Sequence, residues 1–194
     1  MSNLIARKTW HLCAGMVIPI AALFVPRNFL LVFVAVATAV ALAAETARFF
    51  SPALNHRFTV AFKRVIRQQE ISRVTGSTYI LISSLLTLII FPRDIAILAL
   101  TFLAVGDSVG AVVGFTFSGE HQSFKNWQSS LACFLSSILA GLIFIIFFID
   151  ISIFVLIAGA LTATIVEALP LPVNDNVTIP IFSALAMSLY GTIL

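Results

Sequence analysis

Apolar positions in this chain come in long continuous runs rather than in alternation, and short polar, proline-marked breaks separate them. Residues 126–149 contain no charged side chain, and neither do residues 151–166. A helix needs about 20 apolar residues to cross the hydrocarbon core of a bilayer. In lipid the backbone must satisfy its hydrogen bonds internally, so only helices and closed barrels span. Unbroken apolar runs exclude the two-residue alternation of a barrel strand. The pattern predicts seven membrane-spanning helices, at 9–25, 29–50, 75–91, 95–117, 129–149, 151–169 and 178–194. Pro26, Pro52, Pro92, Pro170 and Pro172 fall at or just past span ends, where a helix stops most readily. The expectation is one all-α integral membrane domain over residues 1–194, a polytopic helical bundle. No internal repeat is visible, which argues against inverted-repeat transporter folds. No A-x-A site follows the first apolar segment, so it reads as a resident span rather than a cleaved signal.

The stretch between the second and third spans has its own pattern. Leu54, Phe58, Phe62 and Val65 recur at helical spacing, with Arg57, Arg64 and Arg67 turned away from them. This predicts a cytoplasmic amphipathic helix lying in the membrane interface. Its arginines either anchor that helix among anionic headgroups or, in addition, meet a phosphate.

Composition fits the same class. Of 194 residues, 60% are hydrophobic and 10% charged, against about 25% charged in soluble domains. The formal net charge of +3 does not indicate a nucleic-acid partner, because the basic residues flank spans as the positive-inside rule requires. One side holds nine of them: Arg7, Lys8, Arg48, Arg57, Lys63, Arg64, Arg67, Arg73 and Lys125. Arg27 and Arg93 make two on the other side. The asymmetry puts the N-terminus in the cytoplasm and, with seven spans, the C-terminus on the opposite side. Cys13 and Cys133 lie within spans without zinc or redox spacing, and read as small packing residues. Self-association of the chain is left open.

Acids inside spans are the informative residues, since a carboxylate at mid-membrane costs about 2.5–3.5 kcal/mol on insertion scales. Glu45, Asp107, Glu167 and Asp175 qualify. Glu45 and Arg48 sit three apart, either neutralising each other or serving a ligand. Asp107 shares a helix face with Gly110 and Gly114, and Gly106, Gly110 and Gly114 also form a small-residue packing stripe. Asn174, Asp175 and Asn176 suit a helix cap, but also the oxygen ligation that Mg²⁺ prefers. His11 faces into the bundle with Arg7 a turn before it, as a packing residue or as a participant. There is no Walker-type loop and no Gly-x-Ser-x-Gly elbow. Acids and cations gathered near one face suit a membrane enzyme or transporter for a phosphorylated ligand.

Several pieces, taken in order, carry a resemblance. They are Arg7-Lys8 with His11 and Gly15, Glu45-x-x-Arg48, Arg67-x-x-Glu70 ahead of Thr75-Gly76-Ser77-Thr78, and Gly106-Asp107 with Gly110 and Gly114. Lys125, Glu167 and Asp175-Asn176-Val-Thr-Ile-Pro180 complete the set. Over nearly its whole length the chain resembles the CTP-dependent lipid-alcohol kinases: dolichol kinase, phytol kinase and CTP-dependent diacylglycerol kinase. The resemblance implies transfer of the γ-phosphate of CTP to the primary hydroxyl of a membrane lipid alcohol, assisted by Mg²⁺. It implies Asp107, Asp175 and Glu167 as metal ligands, and Asp107, Lys125, Glu167 and Asp175 as the catalytic set. Arg7, Lys8, His11, Arg48, Arg73, Lys125 and Asn176 would meet nucleotide or phosphate, while Glu45, Glu70, Gly76, Gly110 and Gly114 would orient. A CDP-lipid-forming cytidylyltransferase is the nearest alternative enzyme, and an anionic-lipid transporter the non-enzymatic one. In one place the pattern departs: the family reads Lys-[Ser/Thr]-aromatic-Glu-Gly-Ser, and this chain reads Lys125-Asn-Trp-Gln-Ser-Ser130, with Gln128 for the acid and Ser129 for the glycine.

Overall fold

The computed structural model describes residues 2–118 and 126–192. Among these residues the structure is helical and contains no β-strand. The elements are α1 (Ser2–Phe24), α2 (Arg27–Phe50), α3 (Pro52–Ala61), a 3₁₀ turn (Gln68–Ile71), α4 (Gly76–Ile90) and α5 (Arg93–Thr101). They continue with a π-helical turn (Phe102–Gly106), α6 (Asp107–Ser118), α7 (Trp127–Phe147), α8 (Ile153–Ala168) and α9 (Asp175–Gly191). Each of the seven apolar segments is helical. Three helices, Arg27–Phe50, Arg93–Phe117 and Trp127–Phe147, are long and apolar enough to cross a membrane, while Gly76–Ile90 and Ile153–Ala168 are shorter apolar helices. This is the build of an integral membrane protein.

The rod α5–π–α6 runs through the middle of the molecule. In its most apolar stretch 72% of positions are buried, against 22% for the other two long helices. Ala96 to Leu100 and Phe102 to Ala104 are all essentially inaccessible. α1 packs along this rod, α7 and α9 flank it, α8 lies across α7 and α9, and α4 bridges α2 to α9. The faces of α2 and α7 turned away from the bundle carry Phe33, Val36, Val40, Leu135 and Leu139, all exposed, as lipid-facing surfaces are.

The two basic residues of the sparsely charged end have structural partners. Arg27 donates to the carbonyls of Leu88 (2.6 Å) and Phe91 (3.2 Å) at the end of α4. Arg93 donates to the Ala22 carbonyl at 2.5 Å near the end of α1. The last carbonyls of a helix have no intrahelical donor, so a guanidinium there satisfies them and complements the dipole.

The glycine stripe of α6 is a packing face toward α7. A Cβ at Gly110 would stand 3.0 Å from the Ser129 carbonyl oxygen and 3.1 Å from the Cys133 Cβ, and one at Gly114 would stand 3.0 Å from the Ser129 Cβ. Ser129, where the family pattern has glycine, fills this notch and donates to the Gly110 carbonyl at 2.9 Å. Asp107, at the start of α6, reaches Lys8 of α1 through its carboxylate. Gly110→Val should lower the unfolding midpoint in detergent by the equivalent of about 1–3 kcal/mol, since the nearest atom it meets is the Ser129 carbonyl oxygen, which only a backbone shift can move. An unchanged midpoint would show that α6 and α7 do not pack in this register.

Candidate functional site

The site begins with a buried ion pair that organises a loop. Glu45 and Arg48, three apart near the end of α2, are both buried, and Arg48 Nε donates to Glu45 Oε2 at 2.6 Å. Arg48 then fans across the 3₁₀ turn. It donates to the carbonyls of Glu70 (3.0 Å) and Ile71 (3.1 Å), to that of Arg73, and to Asn55 Oδ1 (3.0 Å). Glu45 Oε1 accepts from the Thr75 amide (2.9 Å), the Thr75 hydroxyl (2.7 Å) and the Thr78 hydroxyl (3.0 Å). An acid from one helix thus caps the N-terminus of another, supplying negative charge where α4 exposes its unpaired amides. Glu70 continues the pattern: Oε1 accepts from the Gly76 amide at 3.0 Å and Oε2 from the Arg67 amide at 2.9 Å.

A second buried pair lies across the bundle. Lys8 Nζ donates to Asp107 Oδ2 at 2.7 Å, with side chains only 6% and 8% exposed. His11 Nε2 is 3.4 Å from the same oxygen and 3.4 Å from the Leu103 carbonyl. Ser108 Oγ donates to the Lys8 carbonyl at 3.4 Å. The π turn ends immediately before Asp107, and such turns open the local hydrogen-bond ladder of a helix, often at functional positions.

Between the two pairs is a small cleft of about 40 Å³, bordered by Arg7, Trp10 and His11 of α1, Arg67, Glu70, Gly76, Ser77 and Asn176. It receives the N-termini of α4 and α9 together. Asn176, in the first turn of α9, is buried and donates through Nδ2 to the Gly76 carbonyl at 3.1 Å. Gly76 permits this approach, because a Cβ there would stand 3.0 Å from Asn176 Nδ2 and 3.2 Å from Glu70 Oε1. Arg7 is half-buried, and its Nε has no hydrogen-bond partner within the protein. It is close enough to Arg67 for the two positive charges to repel. Two neighbouring guanidiniums suit the cleft to an anion, while the Gly76 and Asn176 amides are already taken by Glu70 and Asn174.

The sequence expectations divide on this geometry. Arg7, His11, Glu70, Gly76 and Asn176 converge on the cleft, with Lys8 and Asp107 directly behind His11. Arg48 lies behind the loop with its donors spent on protein acceptors, so it holds the loop in place. Arg73 contributes its carbonyl to Arg48, while its side chain is exposed and does not border the cleft. Glu167 is buried at the end of α8, within electrostatic reach of Cys133 on α7. Asp175 is the first residue of α9, half-buried, and Asn174 caps that helix by accepting from the Asn176 amide at 3.0 Å. Lys125 lies outside the described residues. Among the described residues no three His, Cys, Asp or Glu side chains form a group able to hold a metal ion. Asp107 is paired with the Lys8 ammonium group, and both Asp107 and Glu167 lie within electrostatic reach of Cys133. Trp10 and Ser77 were not expected in the site, and Arg67 was expected only as one of several interfacial arginines open to a phosphate. For Arg67 the signal was its three-residue spacing from Glu70 just ahead of Thr75-Gly76.

Comparison with known proteins bears on what such a site is for. The chain is 30% identical over 142 residues to a probable chloroplastic phytol kinase of Triticum aestivum, covering 64% of this chain and 47% of that protein. This supports a relationship to lipid kinases at the level of the family. It is also 26% identical over 195 residues to an uncharacterized protein of Rickettsia prowazekii, covering 97% of this chain and 95% of that one. No family model matches the chain. No solved structure matches it.

Proposed function

We propose that this chain is a lipid-alcohol kinase that transfers the γ-phosphate of CTP to the primary hydroxyl of a polyprenol-, phytol- or diacylglycerol-like alcohol. The observation that carries the reading is the cleft in which Arg7, Arg67 and the N-termini of α4 and α9 face one another, with the chain's similarity to a probable phytol kinase beside it. Phosphoryl transfer asks little covalent chemistry of a protein; it asks for positioning and for neutralisation of the transferring group. Arg7 and Arg67 neutralise phosphate oxygens. His11, held against Asp107, is the group at the cleft wall placed to take the hydroxyl proton. Mg²⁺ enters with the nucleotide phosphates, and one or two of Asp107, Glu167 and Asp175 would complete its shell.

The charge asymmetry along the chain fits seven spans with the cleft and N-terminus cytoplasmic, where nucleotide is supplied, and the C-terminus opposite. The test is incubation of the purified protein with γ-labelled CTP, Mg²⁺ and a panel of lipid alcohols. Label on the lipid is the expected result. Label released as pyrophosphate would instead mark a CDP-lipid-forming cytidylyltransferase, and no nucleotide consumption with any alcohol would leave a transporter. A parallel panel of nucleoside triphosphates assigns the donor. Removing one charge-assisted phosphate contact costs about 1.5–3 kcal/mol, so Arg7→Ala and Arg67→Ala should each lower kcat/KM for the nucleotide roughly ten- to a hundredfold. Arg7→Lys should not restore it if both phosphate oxygens are met by one planar fork.

A further inference from the structure

Beside the cleft is a second space of about 450 Å³, between α2, α3 and the start of α4. Ala41 and Ala44 of α2 form one wall, and Leu54, Phe58 and Phe62 face them. The volume falls in the range of about 300–1,000 Å³ typical of ligand pockets. Glu45 and Arg48 also border it, yet neither charge is available to a ligand. Arg48 is engaged by Glu45, Asn55 and three carbonyls, and the Phe58 ring lies 5.1 Å from its guanidinium carbon. Both oxygens of Glu45 are engaged as well. A wall whose charges are already compensated presents an apolar ligand with no desolvation cost and an anion with no donor.

The chamber adjoins the cleft: Trp10, Val65, Glu70 and Ser77 border both. Trp10 Nε1 reaches toward Ser77 Oγ at 3.5 Å, marking the junction. Leu54 and Phe62 at the rim are 45% and 40% exposed, so the opening is apolar and faces outward from the bundle. An elongated molecule lying in both spaces has an apolar body in the chamber and a polar end beside Arg7 and Arg67.

We infer that the chamber holds the tail of a single-chain lipid alcohol, with its hydroxyl directed past Trp10 and Ser77 into the cleft. The inference rests on the kinase reading for the identity of the ligand as phosphate acceptor. α3 and the turn after it then form a tail-binding wall in addition to a surface anchor.

The test is photolabelling of the full-length protein in nanodiscs with a long-chain primary alcohol carrying a diazirine in its tail, followed by peptide mapping. Label is expected in residues 41–47 and 54–66, competed by the unlabelled alcohol. Ala44→Phe, at an exposed position on the chamber wall, should cut that label about tenfold, the effect of denying burial to about two methylenes. Ala41→Leu, a smaller change, should cut it in the same direction should Ala44→Phe fail to fold. Leu139→Phe on the outer face of α7 should leave labelling unchanged. Label spread evenly over outward-facing helices, or undiminished in both chamber variants, overturns the inference. So does equal competition by a bulk phospholipid, which would make the chamber an annular lipid site. Turnover separates the two readings. Chamber labelling without phosphate transfer to any alcohol would end the kinase reading and leave the tail site standing. Transfer without chamber labelling would do the reverse.

Discussion

Lys8→Ala should destabilise this protein by about 3–5 kcal/mol, because it leaves the buried Asp107 carboxylate without the ammonium that lies 2.7 Å from it. Taking two charges out of water is costly, and their attraction repays this only while both are present. The pair is enclosed between α1 and α6, with Asp107 and Lys8 both buried, so water cannot replace the lost partner. Asp107→Asn should be destabilising for the complementary reason, since it strands the lysine. The double variant Lys8→Met with Asp107→Leu removes both charges and should regain most of the unfolding midpoint. Phosphate transfer should behave differently: Asp107→Asn and the double variant should both lose it by at least a hundredfold, because in each His11 loses the carboxylate 3.4 Å from its Nε2. Unfolding midpoints and turnover, measured on the same preparations, separate scaffold from chemistry. A double variant with normal turnover would make the pair a packing device and remove Asp107 from the proposed reaction.

The helical segments were legible because lipid imposes a length and proline imposes an end. α2 stops at Phe50 before Pro52, and α4 stops at Ile90 before Pro92, as expected. Hydropathy misjudged the other kind of end. α1 begins at Ser2 rather than at residue 9, because Lys8 is charged in sequence but neutralised in space by a residue 99 positions away. The amphipathic spacing of Leu54, Phe58, Phe62 and Val65 predicted one helix, yet α3 ends at Ala61. The chain must turn there to bring the carbonyls of Glu70, Ile71 and Arg73 onto Arg48. Phe62 and Val65 still border the same chamber as Leu54 and Phe58, so the apolar face was read correctly and the backbone beneath it was not.

The candidate site was legible as a set of residues more than as a set of roles. Glu45 and Arg48 were recognisable as a pair from their spacing, but the Thr75 and Thr78 partners, 30 and 33 positions on, were not. Asp107, Glu167 and Asp175 share a chemistry that suits a divalent cation. Composition cannot say that they occupy different interfaces, with α1, with α7 and at the start of α9. Conversely, Arg67 reads in sequence as one more cation on an interfacial helix. Only the fold brings it beside Arg7 and the N-termini of α4 and α9.

Arg48→Ala should abolish activity although Arg48 itself does not border the cleft, and this is the sharpest test of how the site is built. One guanidinium satisfies the carbonyls of Glu70, Ile71 and Arg73 and the side chain of Asn55, while neutralising Glu45. Without it, the carbonyls of Glu70 and Arg73 and the Oε2 of Glu45 lose their donor, Ile71 keeps only Asn55 Nδ2, and the segment carrying Arg67 and Glu70 loses most of its tether to α2. Each stranded buried acceptor costs about 1–3 kcal/mol, so the segment should open locally before the bundle unfolds. Limited proteolysis should then cut between residues 66 and 74 in the variant and not in the parent protein, while the unfolding midpoint of the bundle shifts less. Nucleotide kcat/KM should fall at least as far as in Arg67→Ala, since the loop presents both Arg67 and Glu70. Arg48→Lys should fare little better, because an ammonium supplies three donors from one point and cannot span acceptors arrayed around a planar fork. Adding Arg67→Ala to Arg48→Ala should cost almost nothing more, since a loop that is already displaced has no contact left to lose. Full additivity of the two would mean that Arg48 meets the ligand itself, and that the loop keeps its place without it.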